Sequence, residues 1–267
     1  MKGLIRSVLE TSAPGLLGRL RSYRMNRHES RRREQLERVL DAITSERGYV
    51  VQSGPFEGMK YLRRIQWVPL PPKLLGVYER ELEATTRTLM SRNYDVLVNI
   101  GSAEGYYAVG FARACPKTRV IAYDVDPQSQ ADCAELARLN GVSARVQVRG
   151  ECTHSSLDAD IQGNTLVISD CEGCEEVLLD PAKCAKLARA DMLVELHEFV
   201  SSGSTERVLS RFRGTHSIEI LDAVAAGPEV AGNLPLDEAD RLFAVTEFRP
   251  PGMQWALMTT TRQPRSD

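Results

Sequence analysis

Apolar positions along the chain fall into short runs separated by amphipathic stretches, most regularly after residue 93. Val96, Leu97, Val98 and Ile100 form the first run, rich in β-branched residues as a strand buried on both faces of a parallel sheet should be. The run breaks at Gly101 and Gly105, after which residues 106–115 take helical spacing. The same alternation predicts strands at 120–124, 144–149, 165–169 and 192–196, with helical stretches at 127–140, 174–179, 182–189 and 205–213. Two late strands follow at 217–221 and 254–260, with no long helix required between them. Strands alternating with helices are the mark of an α/β fold built on a parallel sheet with right-handed crossovers.

Upstream the pattern changes. Residues 79–92 read as a helix feeding the first strand, while 49–78 carry Gly54, Pro55, Gly58, Pro69, Pro71, Pro72 and Gly76, which predicts two short strands joined by turns. Residues 1–48 look helical and basic, with eleven Lys and Arg against six Asp and Glu. The expected organisation is a basic helical extension (1–48), a lid or substrate-side extension (49–92) and the main domain (93–262). Asp222 to Met253 is a long Gly- and Pro-punctuated connection expected to shape a pocket, with a short helix at 237–243 and a frayed tail from Arg262.

Composition narrows the classes. A chain of 267 residues can bury a large core, and a formal net charge of -2 gives no overall reason to expect nucleic acid as a partner. The basic segment reads as a solvated helix with Glu29, Glu34 and Glu37 as partners of its arginines, or as an arm touching an anionic membrane surface or a partner. No apolar stretch is long enough for a membrane span or a secretory leader, so a cytoplasmic protein with six free thiols is expected.

Candidate chemistry gathers at the strand ends, where open parallel sheets bind ligands. Asn99, Asp124, Glu151, Asp170 and His197 all fall there. An acid such as Asp124 at the tip of the second strand can hold both hydroxyls of a ribose, so the ligand is expected to carry a nucleoside. The turn reads Asn99-x-Gly101-x-x-x-Gly105, which differs from the dinucleotide fingerprint, and no phosphate-binding lysine follows.

These features resemble the first motif of class I S-adenosylmethionine-dependent methyltransferases. Asp170-x-Glu172-Gly173-x-Glu175 with Glu195-x-His197, Gly105-Tyr106-Tyr107 and the stretch from Gly54 to Met59 resemble the FkbM family within that class. The resemblance implies a Rossmann-like, seven-stranded, mostly parallel methyltransferase sheet ending in an antiparallel hairpin. It also implies S-adenosylmethionine as cofactor, contacted by Asn99, Gly101, Ser102, Ala103, Glu104, Gly105 and Tyr106, by Asp124 and Val125 at the ribose, by Glu151 and Cys152 at the adenine, and by Asp170. Asn99 stands where that family usually has aspartate. It can hydrogen-bond but brings no charge.

The implied reaction is methyl transfer to a hydroxyl of a sugar or secondary metabolite, which needs alignment and a base. His197 is the first candidate, Asp170 the second, with Glu172 and Glu175 orienting the base or the acceptor. A non-catalytic scaffold working through the basic arm, and an N-methyltransferase, remain alternatives. No resident metal is expected: Cys171, Cys174, Cys184, Cys152 and His154 lack the second close pair of a zinc site, although magnesium on Asp170, Glu172 and His197 is chemically possible.

Overall fold

The computed structural model describes residues 30–63 and 69–261. Arg19, Arg21, Arg24 and Arg27 of the expected basic arm, and the tail from Arg262, lie outside the described residues. Among those described, one seven-stranded sheet runs in the order β3-β2-β1-β4-β5-β7-β6, with β1 at Val96–Ile100, β2 at Arg119–Tyr123, β3 at Val146–Arg149, β4 at Thr165–Ser169, β5 at Asp191–Leu196, β6 at His216–Asp222 and β7 at Gln254–Thr260. The first five strands are parallel, and β7 lies antiparallel between β5 and β6. This is the Rossmann-like sheet that the resemblance implied.

Helices cover both faces. In chain order they are α1 (through residues 30–44), α2 (Leu70–Leu75), α3 (Glu83–Ser91), α4 (Tyr106–Ala114), α5 (Pro127–Leu139), α6 (His154–Asp160), α7 (Glu175–Leu178), α8 (Ser204–Ser210) and α9 (Glu238–Val245). Side-chain alternation in β1 divides the core. Leu97 belongs to the face that packs α1, α4 and α5, whereas Val96, Val98 and Ile100 belong to the face of α6 and α8. Val39, Leu40 and Ile43 place α1 inside the first of these cores.

The upstream segment departs from expectation. Residues 49–63 form no strand pair. They make a single antiparallel bridge, Val50 to Lys60, around a turn tightened by Gly54 and Gly58, both at φ 79. Leu70–Leu75 is a helix, because Pro71 and Pro72 occupy first-turn positions where no backbone donor is needed, and Gly76 at φ 79 closes it. The region predicted helical at 182–189 is a 3₁₀ turn over Ala185–Arg189, and 174–179 is reduced to the single turn of α7. The short α6 was not expected from the periodicity. Its start is marked by a capping box, Thr153 with Ser156.

Candidate active site

Strand order reverses between β1 and β4, and a crevice opens at their carboxyl ends as such a switch point requires. Gly101 leaves β1 at φ 71, and a Cβ there would stand 1.6 Å from the carbonyl oxygen of Asp170, the residue that leaves β4. Only glycine lets these two strand ends come so close. Above them lies a cleft of about 1040 Å³, walled on one side by Gly101, Ala103, Asp124, Val125, Glu151 and Cys152 and on the other by Tyr78, Glu79, Phe248 and Arg249.

Asp124 is fixed by the turn it faces. Its Oδ2 accepts from the Ala103 amide at 2.7 Å and its Oδ1 from the Asp126 amide at 2.9 Å, which sets the carboxylate rigidly at the rim. Ala103 adopts φ 45 to make that contact. Val125 beside it is 76% exposed, an apolar face turned to the cleft. Glu151 is exposed, and burial pushes the half-buried Cys152 thiol up to about 12, which keeps it protonated and apolar in character.

Five residues named from the motif stand apart from the cleft wall, among them Asn99. It alternates with Val98 and Ile100, so its amide turns to the opposite face, where it is 2% exposed and its Oδ1 has no hydrogen-bond partner. Ser102 is buried with its amide on the Tyr123 carbonyl at 2.9 Å. Glu104 is spoken for. Lys73 of α2 donates to its carboxylate, as does the Tyr61 hydroxyl, and the pair is almost fully buried. Burial alone would raise the Glu104 pKa, but Lys73 and Tyr61 outweigh it and hold the carboxylate below its usual range. Gly105 at φ 96 lets α4 pack against Cys133, and Tyr106 lies beneath a cluster of rings with Phe56 at 5.0 Å and Tyr78 at 5.3 Å.

At the other end of the crevice four carboxylates surround one imidazole. His197, following β5, has Asp170 Oδ1 and Glu172 Oε2 each 3.6 Å from Nε2, Glu195 Oε2 at 3.4 Å, and Glu175 Oε1 at 3.1 Å from Nδ1. Burial opposes protonation of His197, yet Glu175 and Glu195 prevail and raise its pKa to about 10. The free imidazole therefore holds its proton at neutral pH, which takes from it the basic lone pair expected of a first-choice base. Burial and the neighbouring Glu195 charge push Asp170 well above the carboxylate range, while His197, Asp170 and Arg249 hold Glu195 down at about 2 against its own burial. Glu172, at φ 56, puts a side chain that is 83% exposed into the cleft. Glu175 turns inward and accepts from the amides of Cys171 at 2.8 Å and Gly173 at 3.0 Å.

Cys171 and Cys174 are joined in a disulfide across that turn, which corrects the expectation of six free thiols and removes both as zinc ligands. Cys115, Cys133, Cys152 and Cys184 are free.

Sequence reasoning missed the opposite wall. Arg249 reaches Glu81 Oε1 at 2.7 Å, Glu195 Oε1 at 2.9 Å, Glu247 Oε2 at 3.4 Å and Glu79 Oε1 at 3.8 Å. Burial pushes Glu79 up to about 8 and Glu247 to about 7, with Arg249 restraining both. The 49–92 extension, expected on the substrate side, and the long 222–253 connection hinted at this wall, but nothing in their spacing singles out Arg249.

No family model matches the chain, and no curated protein matches it. Solved structures do. One is TomG of Streptomyces achromogenes, an O-methyltransferase involved in tomaymycin synthesis and solved in complex with SAM, at 15% identity over 85% of this chain and 90% of that chain, TM-score 0.47. Another is a SAM-dependent O-methyltransferase of Thermotoga maritima, at 11% identity over 67% of this chain and 65% of that chain, TM-score 0.42. A third is an rRNA methylase of Streptococcus thermophilus, at 12% identity over 67% of this chain and 96% of that chain, TM-score 0.44.

Proposed function

We propose that the chain is an S-adenosylmethionine-dependent methyltransferase of FkbM type that methylates a hydroxyl of a sugar or secondary metabolite. The observation that carries this reading is the rim of the cleft. A glycine turn at the β1–β4 switch point, a carboxylate held rigid at the tip of β2, an apolar side chain next to it and an acid after β3 are the parts that a nucleoside with a short charged tail needs. Asp124 would take the ribose hydroxyls, Val125 and Cys152 the adenine faces, and Glu151 the adenine amino group. Gly101 and Ala103 would lie against the methionine part.

Methyl transfer from a sulfonium is an in-line displacement, so the chain's own task is alignment and removal of one proton. Asp170, Glu172 and His197 are the groups that would receive or steer that proton. Because the imidazole is held charged, Glu172 is the group assigned to accept it, with His197 and Asp170 keeping it in place. Phe199 and Phe248, 59% and 51% exposed, give the acceptor an apolar surface at the same end.

The test is isothermal titration with S-adenosylmethionine and S-adenosylhomocysteine. Binding is expected in the wild type and weakened at least about tenfold in Asp124→Ala, the loss of a charged hydrogen-bonding group. Unaltered affinity in that variant would sink the ribose assignment. A second reading, methyl transfer to an amine, is favoured by the acids Glu79, Asp170, Glu172, Glu195 and Glu247 lining the cleft. A panel of hydroxyl and amine acceptors separates the two.

A further inference from the structure

The turn between β4 and α7 reads Cys171-Glu172-Gly173-Cys174. Two cysteines separated by two residues, placed after a strand of an α/β fold, suit thiol–disulfide exchange because their sulfurs meet across a single turn. Here they are joined, and both are half-buried in the wall of the cleft, so a thiol that enters the cleft reaches them. The pair encloses Glu172. That residue has φ 56 and Gly173 has φ 104, two successive left-handed conformations of which the first is one that a residue with a Cβ avoids.

Among the described residues nothing donates a hydrogen bond to the Glu172 carboxylate, so its place 3.6 Å from His197 Nε2 is set by the backbone of the turn. Three ties hold that backbone: the disulfide, the Cys174 amide on the Cys171 carbonyl at 3.4 Å, and Glu175, which accepts from the amides of Cys171 and Gly173. With the disulfide open, only hydrogen bonds oppose the return of Glu172 to an ordinary backbone conformation. The two sulfurs are not equivalent. Ser169, the last residue of β4, is fully buried, and its Oγ lies 3.7 Å from Cys171 Sγ. A disulfide sulfur carries no hydrogen, so the hydroxyl is the donor. That bond strengthens when Cys171 becomes a thiolate, which makes Cys171 the better leaving group.

We propose that Cys171 and Cys174 form a reversible redox site that a dithiol opens from the cleft, and that the state of the pair sets the position of Glu172. A thiolate of the dithiol attacks Cys174 Sγ to form a mixed disulfide, while the S–S bond breaks with its electron pair going to Cys171 Sγ, which takes up a proton. The second thiol of the dithiol then displaces Cys174, so two electrons and two protons end on the cysteines and the reductant leaves as a cyclic disulfide. Asp170, Glu172 and Glu175 beside the pair repel a thiol that carries carboxylates, such as glutathione, more than an uncharged dithiol. That Glu172 receives the acceptor's proton rests on the proposed methyl transfer, whereas the redox step and the movement of Glu172 need neither cofactor nor acceptor.

The test uses the full chain prepared without reductant and without cofactor, unfolded in an alkylating reagent before and after treatment with dithiothreitol. Four alkylated cysteines are expected before and six after, with Cys171 and Cys174 the two gained. In the folded protein the imidazole NMR signals of His197 should shift with dithiothreitol and return with its oxidised form, whereas those of His216, held by Ala190 and Thr215, should stay. With Cys171→Ser and Cys174→Ser combined, the His197 signals should lie near the reduced position and ignore the reductant. In Cys115→Ser, whose thiol faces the Met90 carbonyl, the wild-type response should persist. Near-ultraviolet circular dichroism shows whether the double variant is folded, and the wild-type measurements decide the matter without it. Six alkylated cysteines before the reductant, a pair still linked after it, or His197 signals that stay in place when the pair opens would each overturn the proposal. Failure of S-adenosylmethionine to bind would overturn the methyltransferase reading instead and leave these results standing.

Discussion

Single residues decide whether the crevice exists. Gly101 allows the ends of β1 and β4 to meet, and its left-handed backbone conformation adds a second requirement. Gly101→Ala therefore combines a steric clash with backbone strain, and a loss of about 3 kcal/mol or more is expected, read as a lowered denaturant midpoint with an unchanged slope. Wild-type stability in that variant would show that the two strand ends can separate freely. Gly101 and Asp124 were readable from the sequence because their chemistry is local: a turn needs glycine, and a strand tip displays its next side chain. Asn99 and Glu104 were not, since what removes them from the cleft comes from elsewhere. The pleat of β1 turns Asn99 away, and Lys73, on a helix that the Pro71-Pro72 pair had suggested was absent, captures Glu104.

At the scale of elements, the strands after residue 93 and the helices α4, α5 and α8 followed hydrophobic period, whereas α6 and the shortened stretches at 174–179 and 182–189 did not. Nor did the 49–78 stretch. Its alternation of apolar and polar residues comes from a compact turn packed on α4, with Phe56 lying against Gly110 so closely that a Cβ there would stand 2.5 Å from the ring. One link between elements has a pH signature. His216 opens β6, and its Nε2 donates to the Ala190 carbonyl at 3.0 Å just before β5, while Nδ1 lies 2.8 Å from Thr215 Oγ1. Burial lowers its pKa below the ordinary 6.5, with Asp191 and the Ala190 carbonyl only partly opposing. Since the folded value lies below the unfolded one, this contribution is complete above about pH 6.5 and is lost as pH falls through the lowered value. Unfolding midpoints in urea at about pH 7.5 and about pH 5.5 should differ more in the wild type than in His216→Gln. An equal difference in both would mean that the imidazole titrates as it does in the unfolded chain.

For the whole molecule, α1 belongs to the main core. Val39 and Ile43 are 0% and 1% exposed, and Arg38 pairs with Asp240 of α9 at 3.1 Å. Deleting residues 1–48 should therefore cost several kcal/mol, at about 1.5–3 kcal/mol for each large apolar side chain no longer buried, and should lower Tm sharply. An unchanged Tm would show that the core closes without the helix. The sheet order carries a different consequence, one of timing. Strand β7, the last of the seven to emerge during synthesis, is the partner of both β5 and β6. Until Gln254–Thr260 leaves the ribosome, β6 has no neighbour and β5 presents a bare edge of apolar residues. A chain whose β6 has emerged and whose β7 has not therefore carries one unpaired strand and one open sheet edge, the interval in which a chaperone has most reason to hold it.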